Sequence, residues 1–264
     1  MKICTHFFLA LSIIYLGFSC KSSKEIDARW ARDRNAAKTL TGKTVVYTIF
    51  VDSKKTIPWS GFDIESTKDS LEKVFNWVMT ESARQNKSIQ IEPIYATLSN
   101  KQTIKKKIPN GSIGAAFSDG EYSKASKLGK WANGIVKKFE KTIKLKEGQL
   151  AKKPKLDSFQ KLVTKLKRNH KAQNVVIFFM VNNYFISDVS AVFNNMHTTE
   201  VEFAINSGKN TNILAAQFLS LFGAQTLHED SYSSHEVKKM SLAKQDFPND
   251  VMLNYDLDLS KLSI

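Results

Sequence analysis

The strongest constraint in this sequence is one uninterrupted run, Thr44 to Val51, which reads Thr-Val-Val-Tyr-Thr-Ile-Phe-Val. The run is β-branched and aromatic, carries no charge and lacks polar alternation, so it reads as a buried strand. Ser66 to Gln85 follows with Leu71, Val74, Phe75 and Val78 at helical spacing, and Ser66 or Thr67 can cap its start. Ser88 to Leu98 then alternates Ile89, Ile91 and Ile94 as a second strand. The opening is therefore β-α-β, and an α/β (α+β) fold is expected. A second apolar run, Asn174 to Asn183, predicts another strand. After it come a short segment, Asp188 to Phe193, a strand from Glu200 to Ile205, and an apolar helix from about Asn210 to Phe222.

Charge divides the chain unevenly. The net charge is +14 over 264 residues, yet 101–171 alone holds 20 basic against 5 acidic residues, a net of +15. Within that stretch Leu128, Trp131, Ile135, Phe139 and Ile143 form one apolar stripe, and Leu156, Phe159, Leu162, Val163 and Leu166 form another. Two amphipathic helices in a basic insertion are the expectation. The lysines between those stripes fit a solvated helix face, and they also fit a contact with an anionic envelope surface. A hydrophobic fraction of 42% excludes wholesale disorder and a many-span membrane protein.

Both cysteines, Cys4 and Cys20, lie in the first 20 residues, so catalytic thiols, disulfide frameworks and cysteine-based metal sites are excluded from the body of the chain. The same segment has a basic start, an apolar run from Phe7 to Leu16 and small residues at Gly17 and Ser19, the layout of a secretory signal peptide. Gly17-Phe18-Ser19-Cys20 resembles the lipobox of bacterial lipoproteins, in the looser form used by some Gram-negative groups. That resemblance implies cleavage after residue 19, lipidation of Cys20 and anchoring in a bilayer by several acyl chains. Lys21 and Ser22 lack the aspartate associated with inner-membrane retention, which points to the outer membrane, facing the periplasm. Residues 20–42 then form a lipidated tether with a short helix, and 43–264 a single domain. Export leaves nucleic acid out of reach as a partner.

Ile213 to Leu227 reads Ile-Leu-Ala-Ala-Gln-Phe-Leu-Ser-Leu-Phe-Gly-Ala-Gln-Thr-Leu. Taken alone, it is a buried helix stopped by Gly223. Its Phe218, Leu219, Leu221, Phe222, Gly223, Ala224 and Leu227 resemble the apolar frame of the active-site helix of metzincin-like zinc peptidases. Phe247-Pro248-Asn249-Asp250-Val251-Met252 looks like the segment that leads into that family's methionine turn, with Met252 as its methionine. The resemblance covers roughly 43–255 and implies a zincin-like mixed sheet. It also maps the two helix histidines to Ala216 and Ser220, the general-base glutamate to Gln217 and the third ligand to Thr226.

None of these replacements can do the family's chemistry. Ala216 has no donor atom, the hydroxyls of Ser220 and Thr226 are poor zinc ligands, and Gln217 cannot take up a proton. The expectation is an inactive, cofactor-free relative that binds or scaffolds a polypeptide. In the active family a peptide adds to the sheet edge beside this helix, which makes Asp188 to Phe193 and Glu200 to Ile205 the candidate contact elements.

Two other readings stay open. His228, Glu229 and His235 are the one cluster of metal-competent side chains and could serve an envelope hydrolase with a non-standard metal site, although their spacing matches no tight ligand motif. The basic insertion could make the chain a structural lipoprotein that binds anionic surfaces. A Gly-x-Ser-x-Gly element and a phosphate-binding Gly-Lys-Ser/Thr ending are both lacking.

Overall fold

A computed structural model describes residues 36–37, 39–54, 56–109, 122–144, 157–182, 190–193, 201–207, 209–224, 241–253 and 257–264. Leader, Cys20 and most of the tether lie outside these residues, as do Thr226, His228, Glu229 and His235. No helix among the described residues is long and apolar enough to cross a membrane.

The order of elements is β1 (Gly42–Asp52), α1 (Gly61–Arg84), β2 (Ile89–Tyr95), β3 (Thr103–Lys105), α2 (Tyr122–Thr142), α3 (Ser158–His170), β4 (Asn174–Val181), β5 (Ser190–Phe193), β6 (Phe203–Asn206) and α4 (Thr211–Leu221). A short helical stretch at 241–246 and a 3-10 turn, Leu259–Lys261, close the chain. The sheet runs β2-β1-β4-β6-β5 and is mixed. Parallel pairing joins β1 to β2, β3 and β4, and β4 to β6, whereas β5 lies antiparallel on β6 as the edge strand.

Continuous apolar sequence puts β1 and β4 at the centre, because a strand covered on both faces has no polar side to offer water. Val45, Tyr47, Ile49 and Val51 of β1 align with Val175, Ile177, Phe179 and Val181 of β4, and all face α2 and α3. Val46 and Phe50, with Val176, Phe178 and Met180, face α1 and α4 on the other side. The domain is thus three layers, helices on both faces of one sheet.

This arrangement changes the meaning of the basic stretch 101–171. Its helices are no appendage. Leu128, Trp131, Ile135, Phe139, Phe159, Leu162, Val163 and Leu166 are buried against the sheet and form the helical side of the core on that face. Trp131 and Phe203 each lie 5.5 Å, centroid to centroid, from the fully buried Phe179. The lysines are what remain on the outside of those helices. The two run parallel: Lys165 Nζ donates to Glu140 Oε1 across 2.6 Å, and Asn169 Nδ2 donates to the Lys144 carbonyl across 2.8 Å.

Local chemistry also moves two boundaries read from sequence. Helix α1 starts at Gly61, capped by Ser60 rather than by Ser66 or Thr67. Asp63 N–H donates to Ser60 Oγ (3.1 Å) and Ser60 N–H donates back to the Asp63 carboxylate (3.4 Å), a reciprocal capping box to which the Ser60 hydroxyl adds a second bond to that carboxylate (2.6 Å). Thr67, inside the helix, donates instead to the Asp63 carbonyl. The packed domain begins before Gly42. Ala36 is fully buried and its carbonyl accepts from Val175 N–H at 2.7 Å, so the last residues of the expected tether belong to the core. Gly42 itself has φ +71, and a Cβ there would meet Gln173 Oε1 at 2.8 Å, so only glycine fits.

Candidate functional site

The site is built on α4. Asn210 caps the helix, its Oδ1 accepting from Asn212 N–H (2.9 Å) and Ile213 N–H (3.3 Å). Eleven residues with almost no polar face leave the helix nowhere to go but inside. Gly223 ends it as the sequence indicates. At φ +100 it lets Ala224 N–H reach the Leu219 carbonyl and its own N–H reach that of Ser220, a Schellman stop.

Three of the four positions that the resemblance assigns to zinc chemistry, Ala216, Gln217 and Ser220, are occupied by side chains already committed to the fold. Ala216 is 1% exposed. Ser220, also buried, donates its hydroxyl to the Ala216 carbonyl one turn back at 2.8 Å. Gln217 is 2% exposed and turned to the sheet: its Oε1 accepts from Asn206 Nδ2 at 2.9 Å, and its Nε2 donates to the Ile205 carbonyl at 3.3 Å. A glutamine can make both bonds, whereas a carboxylate could make only the first. These residues do not fit a zinc ion, and no hydrolytic step is derived through one. Among the described residues no three His, Cys, Asp or Glu side chains lie together as a metal site.

Asn206 lies outside the helix motif, and its signal in the sequence is a polar residue ending an apolar strand, Phe-Ala-Ile-Asn.

Met252 does lie with α4. It is 8% exposed and shares a core with Ala215, Ala216, Phe218 and Leu219. Its N–H donates to Asp250 Oδ1 at 2.7 Å, and the turn is pinned to the C-terminal segment by Val251 N–H to the Ser263 carbonyl and Ser263 N–H to that of Asn249.

Beside α4 runs the edge strand β5, with Val192 packed on the α4 side of the sheet. The two edges differ in kind. On β2, Pro93 removes a backbone donor and Gln90 and Glu92 bring polar groups, features that discourage further pairing. On β5 the sequence Ser-Ala-Val-Phe has neither proline nor charge.

At the opposite end of the strands, Glu92 holds Lys43 and His170. Lys43 Nζ lies 2.8 Å from Glu92 Oε2, close enough for an ion pair though poorly aligned as a hydrogen bond, and His170 Nδ1 lies 2.8 Å from Oε1. Partial burial would raise the Glu92 carboxyl, but the close cationic contacts of Lys43 and His170 outweigh it and hold the group below the usual range.

Comparison with protein families, with curated proteins and with solved structures finds no match for this chain.

Proposed function

We propose that this chain is a catalytically inactive metzincin-like lipoprotein, anchored through Cys20 to the bacterial outer membrane on its periplasmic side, which binds an extended polypeptide without cutting it. The observation that carries the reading is the juxtaposition of β5, an antiparallel edge strand without proline or charge, with a helix whose would-be metal positions are apolar or bonded internally. A peptide added at β5 would take main-chain hydrogen bonds from the edge, and the neighbouring surface would select its side chains. The family resemblance is supported by the succession of elements, by the antiparallel edge strand and by the Met252 turn in the α4 core.

The test combines metal analysis with peptide binding on the purified chain. The expected results are no stoichiometric zinc, saturable binding of short labelled extended peptides, and intact peptides by mass spectrometry. Val192→Pro and Phe193→Pro place the missing amide on opposite sides of β5, so one of them must abolish binding. Peptide cleavage, or stoichiometric zinc lost on Gln217→Ala or Ser220→Ala, would overturn the reading. Zinc lost instead on His228→Ala or His235→Ala would favour the non-standard metal site.

A further inference from the structure

We propose that the amino ends of the parallel strands form a docking face for an anionic phospholipid bilayer. Peptide binding at β5 and headgroup binding here are independent of each other.

The chain enters the domain at this end. Asn174 Nδ2, on the first residue of β4, donates to the carbonyls of Thr39 and Thr41, and Val175 N–H donates to that of Ala36. Only 15 residues separate Cys20 from Ala36, a reach of at most about 55 Å when fully extended. The anchor proposed at Cys20 would therefore tether the domain to the membrane from this end.

Cations gather at the same end. Because α2 and α3 are parallel, both stop here, and Asn169 Nδ2 holds the Lys144 carbonyl alongside the last turn of α3. Lys141, Lys144, Arg168 and Lys171 are all exposed, and Lys87 is exposed just before β2, where the Ser88 carbonyl accepts from Gly42 N–H.

The local demand for positive charge does not account for them. A helix C-terminus carries about half a negative charge, so α1, α2 and α3, which all end here, ask for about one to two cations in total. Among the described residues, the acidic side chains nearby are otherwise engaged: Glu92 by Lys43 and His170, Glu81 by Arg84, and Glu202 by burial. The chain's terminal residue, Ile264, also lies near this end, beside Gln85. Several surplus cations remain, on the face closest to the expected anchor. Their geometry suits many shallow contacts with a charged plane, each weak and additive.

The test uses the chain without residues 1–20, which keeps every described residue and removes the anchor. It should sediment with phosphatidylglycerol-containing vesicles at low salt, stay in solution with phosphatidylcholine alone, and be released by high salt. Charge reversal at this end, K144E/R168E/K171E, should weaken binding at least about tenfold. The matched variant K105E/K127E/K130E alters the same net charge at the other end of these helices and β3, and should bind within about twofold of the parent. Circular dichroism establishes that both variants fold. Equal loss from both variants would mean diffuse charge rather than a face, and would overturn the proposal. Retention of heparin without binding to vesicles would overturn it too, in favour of a soluble polyanion.

Discussion

Asn206 Nδ2 meets Gln217 Oε1 at 2.9 Å, with both side chains out of solvent, so Gln217 is a tie between α4 and β6. Gln217→Glu should destabilise the domain by roughly 2–4 kcal/mol, since it removes the donor to the Ile205 carbonyl and buries a carboxyl group. Denaturant unfolding measures this directly. A loss below about 0.5 kcal/mol would mean that position 217 opens to water.

Ser220→Ala is the contrasting case. Its hydroxyl is bonded to the carbonyl of its own helix, which weakens rather than builds the helix, so removal should cost less than about 1 kcal/mol. The same unfolding curves decide it, and a loss of several kcal/mol would assign Ser220 a larger polar role.

Phe179 should be among the most sensitive positions. It is fully buried between Trp131 of α2, Phe159 of α3 and Phe203 of β6. Phe179→Ala should cost about 3–5 kcal/mol, and deletion of 101–171 should abolish cooperative unfolding altogether. A folded deletion variant would show the basic segment to be peripheral.

Glu202 gives the chain an alkaline weakness. It is 2% exposed, its Oε2 has no hydrogen-bond partner, and burial pushes its carboxyl up to about 8 against the opposing charge of Lys167. A raised carboxyl binds a proton in the folded state that the unfolded chain has released. Its contribution is therefore complete below the ordinary glutamate range and is lost as pH rises through about 8. Glu202→Gln should flatten the fall in Tm between about pH 5 and pH 8. An unchanged slope would place the carboxyl in a polar setting.

Glu92 acts in the opposite direction. Held below its usual range by Lys43 and His170, it contributes stability above the ordinary glutamate range and loses it as pH falls further. The group is about one third exposed, so Glu92→Gln should cost no more than about 1 kcal/mol at neutral pH, with the difference vanishing in acid. Equal losses at neutral and acid pH would rule out the ion pairs as the cause.

The sequence by itself determined the elements whose signal is local. Unbroken apolar runs specify β1 and β4, stripes at helical spacing specify α2 and α3, and Gly223 specifies where α4 stops. It also determined that the α4 helix lacks zinc-binding side chains, because donor atoms are a property of residue type. Tertiary structure alone decided the rest. β3, three residues with a single apolar side chain, is a strand only because the end of β1 offers it backbone partners. The basic helices became part of the core because the second face of the sheet had to be covered, and both end on the same side of the domain because they run parallel. The role of Gln217 follows from the same cause. Whether an amide beside a helix faces a cleft or clasps a strand depends on a partner eleven residues away, Asn206, which only folding brings within reach.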